Sequence, residues 1–197
     1  MALKQSKNKI KSTQRTSKVT KAMEAVSAVK MRKSQERAIL GRPYAEAALR
    51  ILERVSNTND ARRHPLFASN NGSKHCVVII TSDKGLAGSL NSAVLKEATK
   101  IIDSFAKDSI ELICFGKKSY EHFLRREFVI PKHFLNVDDE VALTDLENVV
   151  TFITETFVQK TYNTVHIVYQ SFVSTFEQEA VSRQILPLQN EALQEIV

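Results

Sequence analysis

For its first forty residues this chain gives the backbone no reason to turn. The first glycine and proline are Gly41 and Pro43. The stretch before them is rich in Lys, Arg, Gln, Ala and Met, residues that favour helix. Ala/Leu/Glu-rich sequence resumes in AEAALRILERVSN, so the composition predicts one helix reaching Asn57. At ~1.5 Å per residue it would be roughly 80 Å long, against ~30 Å for a small domain. Much of it is therefore expected to project from any globular body.

Helical spacing puts Val19, Met23, Val26 and Val29 on one stripe, with Ala22 and Ala25 beside it. Leu40, Tyr44, Ala48, Ile51 and Val55 form a second, and KMRKSQER interrupts the two with charge. A narrow stripe with small neighbours is a coiled-coil-like seam that needs a helix partner close by. The alternative, a helix laid across its own domain, suits residues 40–57 better than residues 1–30, which are too polar. Charge follows the same division. Residues 1–42 hold 12 Lys and Arg against 2 Glu, a net of +10, whereas the whole chain is +6, leaving −4 for residues 43–197. The basic character belongs to one segment.

The apolar fraction of 43% and charged fraction of 25% are those of an ordinary globular protein. No apolar stretch approaches the ~20 residues that span a bilayer. The start, MALKQSKNKIKS, lacks the apolar core of a secretory signal. Its basic, Ser/Thr-rich character is that of some transit peptides, but the pattern continues for forty residues without a cleavage-like break, which favours a mature segment. Cys76 and Cys114 lie in apolar, strand-like runs, which favours buried reduced thiols over a disulfide.

Residues 58–75 read as a linker loop, with Pro65 and Asn70-Asn71-Gly72 as turn chemistry, and 76–188 as an α/β domain. CVVIITS is a strand too uniformly apolar for a one-sided sheet. A helix is expected over 89–108, a strand over 110–116 ending in glycine, a helix over 117–127 and a short strand at FVI. The acidic run from Asp138 is expected to begin a helix reaching Lys160, followed by a strand at 164–172 and an edge strand at 179–188 ended by Pro187. Strands alternating with helices imply a mostly parallel sheet with helices on its faces. Residues 189–197 read as a short tail.

TSDKGLAGSLN, Thr81 to Asn91, joins a strand to a helix, where many proteins hold a phosphate. The spacing fits neither common fingerprint. A P-loop needs four residues between its glycines and then Lys; here two separate Gly85 from Gly88, and Ser89 follows. Only the x-x-G half of a dinucleotide motif is present. A tight turn with Ser89 or Asn91 near the helix cap is the favoured reading. The five histidines (His64, His75, His122, His133, His166) show no metal-ligand spacing, and His166 reads as a packed strand residue. There is no G-x-S-x-G elbow. Asp138-Asp139-Glu140 reads as a solvated or capping turn.

KVTKAMEAVSAVKMRKSQERA followed by GRPYAEA resembles the γ subunit of F-type ATP synthases, whose members begin with a basic helix carrying I-T-K-A-M-x-x-V-A-x-x-K-M-R-K. TSDKGLAGSLN is similar to the family's S-D-[RK]-G-L-C-G-x-[LY]-N, with Ala87 in place of the usual Cys, and QILPL resembles the end of its last strand. The likeness runs in register from about residue 3 to about residue 188. It implies an α/β fold: a long N-terminal helix (residues 1–57), half of an antiparallel coiled coil, plus a Rossmann-like, mostly parallel sheet with flanking helices. The family's second coiled-coil strand is a long C-terminal helix, whereas this sequence ends nine residues after Leu188, so the expectation is a chain shortened at that end.

The resemblance also implies a function. In the family the coiled coil is a shaft turning inside a ring of α and β subunits, driven by a membrane c-ring, and it performs no phosphoryl chemistry itself. It implies no cofactor and no metal, and a peripheral place at the cytoplasmic face of a bacterial inner membrane. By the same resemblance Lys30, Arg32, Lys33 and Arg37 form a basic collar facing an acidic loop of β, with Lys18 and Lys21 nearby, and Met23 is a shaft methionine. The loop carrying Asp83, Lys84, Gly85, Gly88 and Asn91 would sit at the base of the stalk, facing β or ε. Three readings compete with this one. A basic helical arm could bind nucleic acid, although it has no aromatic before Tyr44. A nucleotide-dependent enzyme could use Gly85 to Gly88. A basic amphipathic helix could lie on a membrane, but large apolar residues are scarce before Val19.

Overall fold

The computed structural model describes residues 2–58, 60–136, 143–174 and 177–188. Residues 189–197 and the acidic run 138–140 lie outside them. The chain divides into two compact units, Met1–Ala48 and Leu49–Val197.

The first unit is a single helix. Helix α1 covers Ala2–Ser56, its last turns falling in the second unit, and it continues through Pro43. Its polar N-terminal part is fastened by threonines that bond one turn back: Thr13 to the Lys9 carbonyl at 3.0 Å, Thr16 to Ser12 at 3.1 Å and Thr20 to Thr16 at 2.9 Å. These hydroxyls would otherwise compete with the helix from other conformations.

The second unit is a five-stranded sheet with helices on both faces. Its elements are β1 (Lys74–Ile80), α2 (Leu90–Ile102), β2 (Ile110–Phe115), α3 (Lys117–Leu124), β3 (Val129–Phe134), α4 (Leu143–Val158), β4 (Tyr162–Phe172) and β5 (Gln178–Leu186). The strand order is β3-β2-β1-β4-β5; β5 alone runs antiparallel to its neighbour. Because side chains alternate along a strand, each central strand feeds two cores. On one face Val94, Ala98 and Ile102 of α2 and Phe123 of α3 pack on Val77, Ile79, Leu112, Cys114 and Val168. On the other, Val149, Ile153 and Phe157 of α4 pack on Cys76, Val78, Ile113, Phe115 and Val165. A strand buried on both faces has to be apolar throughout, which is why CVVII reads as it does.

Several expected boundaries differ. β1 begins at Lys74, inside the stretch read as loop, and a short 3-10 turn (Ala61–Arg63) lies within it as well. α2 stops at Ile102 rather than residue 108. Tight turns at Ser104 and Phe105 end it, and they release Phe105 to stack on His75 at 3.8 Å between ring centroids. β3 extends past FVI to Phe134, since an edge strand can carry Pro131 at no loss of ladder bonds and Lys132 toward solvent. The last turns of α1 reverse the expected face: Leu52 and Glu53 are half-buried and Ser56 is buried, while Ile51 and Val55 remain exposed.

Both cysteines are free and buried, as their strand positions suggested. Burial pushes each thiol up to about 12, with Glu111 adding to the shift at Cys76. The thiolate is the reactive form, so the native chain is expected to give no colour with Ellman's reagent over minutes. After unfolding in guanidinium both thiols should react; rapid reaction of either in the native chain would contradict the packing described.

Candidate functional site

Two surfaces carry the residues singled out by sequence, one in each unit. On α1 the apolar stripe is open to solvent, with Val19 at 58%, Met23 at 53%, Val26 at 58% and Val29 at 59% exposure. At 3.6 residues per turn, Val19, Met23 and Val26 share an arc of about 80° with Lys30, Lys33 and Arg37. The stripe therefore does not stop at the charged segment. It turns from apolar to basic along the same side of the helix. Arg32 points elsewhere, nearer Lys21, and its Nε donates to Glu36 at 3.0 Å. The four collar residues are all exposed, but they form one basic face of three and a separate ion pair. An exposed pair of this kind contributes little to stability.

In the second unit, Asp83 to Asn91 lies at the carboxyl ends of the strands, beside the point where β1 is flanked by β2 and β4. Ligands of open α/β sheets bind in such a crevice. Here the protein fills the part of it that lies at α3. The first three amide groups of α3 would greet an anion, but each already has a partner from the end of β1. Lys117 N–H donates to Asp83 Oδ1 at 2.9 Å, Lys118 N–H to the Ser82 carbonyl at 3.2 Å and Ser119 N–H to Thr81 Oγ1 at 2.9 Å. Asn91, at the start of α2, accepts from the Ser82 N–H at 3.0 Å and donates through Nδ2 to Ser82 Oγ at 2.9 Å. The Asp83 carboxylate thus holds the place a phosphate would take at α3, and Asn91 closes the loop against β1. Ser89 occupies the N-cap position of α2 without a side-chain cap bond, so Asn91 acts as a clamp rather than as a cap.

The apex has a different character. Lys84 and Gly85 are exposed, Gly88 is left-handed at φ 57°, and Leu86 is left-handed at φ 61° and 96% exposed. A leucine in that conformation is uncommon, and it offers its whole side chain to solvent. Leu86 is not among the loop residues that the sequence singles out, although a large apolar side chain between Gly85 and Gly88 is the available signal. Nor are those that support the loop from beneath: Thr81, Ser82, Lys117 and Ser119. Ser119 is fully buried and sits within hydrogen-bond distance of Thr81 Oγ1, at 2.9 Å. The glycine noted at the end of the second strand was the available clue to that layer.

The comparisons with known proteins cover most of the chain. The family model described as ATP synthase matches residues 2–196. Over 186 residues the chain is 34% identical to the ATP synthase gamma chain of Pelotomaculum thermopropionicum, spanning 94% of this chain and 65% of that one. The gamma chain of Laribacter hongkongensis is 34% identical over 194 residues, 97% of this chain and 67% of that protein. Among solved structures, one from the central stalk and c-ring of the Tetrahymena thermophila mitochondrial ATP synthase matches with a TM-score of 0.66 at 24% identity. That match covers 86% of this chain and 72% of the other, and it is a likeness of fold. The chain spans just under two thirds of the length of the first of these relatives.

Proposed function

The chain belongs to the ATP synthase γ-chain family, and on that premise we propose that it serves as a central-stalk rotor subunit. In this reading it couples rotation driven by proton flow to conformational change in catalytic β subunits, and carries out no phosphoryl transfer itself. The observation that carries the reading is the side of α1 on which Val19, Met23 and Val26 lie open and give way to Lys30, Lys33 and Arg37. An apolar surface suits a turning contact packed inside a ring, and a basic continuation gives that contact a register with acidic residues of the partner. Coupling needs each β conformation to meet a different face of the shaft, because only a differential interaction shifts an equilibrium. The side of α1 that runs from Val19 through Val26 to Arg37 is one such face, different from the side that carries the Arg32–Glu36 pair.

Its proposed partners are the α and β subunits of the ring, the ε subunit and the membrane c-ring. The chain would lie peripheral to a bacterial plasma membrane, on the cytoplasmic side. No helix among the described residues is long and apolar enough to cross a membrane. The exposed apex around Lys84, Gly85 and Leu86 would meet β or ε. Asp83 behind it supports a non-catalytic role, since its carboxylate already takes the anion position at the start of α3.

Mixing the full chain with cognate α and β subunits tests the proposal. A stoichiometric complex with ATPase activity is expected. In it, the triple reversal Lys30→Glu, Lys33→Glu, Arg37→Glu should slow association by about tenfold at low salt, an effect that shrinks as salt rises. Arg32→Glu alone should do much less, because that residue is turned away and tied to Glu36. Failure of the unaltered chain to associate, joined to tight and salt-sensitive binding of polyanions, would overturn the rotor reading.

A further inference from the structure

At the end of the sheet opposite the glycine loop, two imidazoles meet on one hydroxyl. His75 Nδ1 lies 2.8 Å from Thr164 Oγ1, and His166 Nε2 lies 3.1 Å from the same oxygen. The register makes this possible: His75 of β1 pairs with Thr164 of β4, and His166 is the next residue on that face, opposite Val77. Phe105 closes the group from above, stacked on His75 at 3.8 Å and tilted against His166 at 6.1 Å. It belongs to the turn that ends α2 and leads into the 3-10 turn Lys107–Ser109.

The proton count of this group is constrained. A hydroxyl has one proton to give and two lone pairs. With both rings neutral, Thr164 donates to one and accepts from the other. A first added proton turns the accepting ring into a donor, and both rings then point N–H groups at the two lone pairs. A second added proton puts two cations on one oxygen, and their repulsion is relieved only by parting the two rings that Phe105 spans. We propose that His75, Thr164 and His166 form a proton-counting group in which double protonation releases Phe105 and loosens the turn through Ser109. Burial lowers the affinity of both rings for protons, and His75 lowers that of His166 further.

Lys74, next to His75, is paired with Glu111 of β2, and among the described residues no carboxylate raises the proton affinity of either ring. On α2, Glu97 is held by Lys100 and by Ser182 of β5. Asp103 is an exposed residue at the C-cap of α2. In the 3-10 turn, Lys107 lies over Phe128, and Asp108 is exposed. On β5 the residue opposite His166 is the neutral Gln184, while Arg183 pairs with Ile167 and so falls on the other face of the sheet.

Imidazole resonances of the full chain, followed from about pH 8 to about pH 5, test the proposal together with amide exchange at Phe105, Ser109 and Ile110. Two steps are expected, both below the ordinary histidine range, and the three amides should lose protection through the lower one. His75→Gln should move the His166 midpoint upward, because its charged neighbour is gone. Thr164→Ser keeps the hydroxyl and should preserve the full coupling; Thr164→Val should weaken it, leaving only the direct repulsion between the two charged rings. Independent titration of the two rings near the ordinary value, or unchanged amide protection through both steps, would overturn the proposal. So would a Thr164→Ser chain that folds and shows no coupling.

Discussion

Replacing Gly116 by alanine is expected to destabilise the α/β unit by about 3 to 5 kcal/mol, the sum of a strained backbone and an overpacked contact. Gly116 joins β2 to α3 with φ at 88°, a conformation that an L side chain rarely adopts. A Cβ there would overlap the Thr81 carbonyl oxygen and lie 2.7 Å from its carbon. Both are backbone atoms at the end of β1, so no side chain can swing aside. The strands cannot separate either, because Thr81 N–H donates to the Phe115 carbonyl at 2.8 Å and Gly116 N–H to the Phe134 carbonyl at 2.9 Å. The close approach of three strand ends is what places Thr81, Ser82 and Asp83 under the first turn of α3.

The glycine loop beside it provides the controls. Gly88 is left-handed at φ 57° with open space around it, so Gly88→Ala should cost only the local conformational term, about 1 to 2 kcal/mol. Gly85 has open space and no such constraint, so Gly85→Ala should be within about 0.5 kcal/mol of neutral. Urea denaturation followed by near-ultraviolet circular dichroism would report the globular unit, where buried Tyr162 lies. Far-ultraviolet signal would be dominated by α1 and should not be used alone. A Gly116→Ala chain that unfolds at the midpoint of the unaltered chain would refute the close approach.

The second large effect is expected at Phe157→Ala, a loss of about 3 to 5 kcal/mol. Phe157 is fully buried on α4, and it shares its core with Cys76, Val78, Tyr162 and Val165. Its backbone matters too: the Phe157 carbonyl accepts from Asn70 Nδ2 at 2.6 Å, joining α4 to the segment that enters β1. Removing the ring leaves a cavity that strands on the sheet side cannot fill, since they are held in register on both edges. Val150, on the same helix and 61% exposed, gives the contrast. Val150→Ala should change stability by less than about 0.5 kcal/mol. If the two variants unfolded at one midpoint, α4 would not be the lid of this core.

Stability should also depend on pH in a defined direction. His75, His166 and His122 all have their affinity for protons lowered in the folded chain, first by burial; nearby His75 adds at His166, and Arg126 and Arg125 add at His122. Above the ordinary histidine value of 6.5 both folded and unfolded chains hold these rings neutral. Below it the unfolded chain takes up protons first, so stability falls as pH drops from 6.5 toward the lower folded values. The urea midpoint should therefore be lower at about pH 5.5 than at about pH 7.5, and the drop should shrink in the double variant His75→Gln, His166→Gln.

Much of this protein was legible in its residues because the determining physics is local. Forty residues without Gly or Pro and rich in helix formers favour a helix locally, and α1 runs unbroken from Ala2 to Ser56. CVVII and LICF are apolar throughout because they are covered on two faces, and the turn chemistry between them set the alternation of strand and helix. The motifs TSDKGLAGSLN and KVTKAMEAVSAVKMRK carried the family. Contacts between distant segments were not legible. Leu52 and Ser56, rather than Ile51 and Val55, turn inward at the end of α1, and helical spacing by itself does not choose between the two faces. Phe105 has helical spacing, yet α2 ends at Ile102 and Phe105 stacks on His75 instead. The glycine loop showed its spacing in the sequence, but not that Asp83 reaches the first amide of α3, 34 residues later, and fills the place of an anion. Propensity and periodicity act over a few residues and fix which elements form. Which face is buried, and whether a cleft is open or filled, depends on atoms brought together from far along the chain, and those the tertiary structure alone decides.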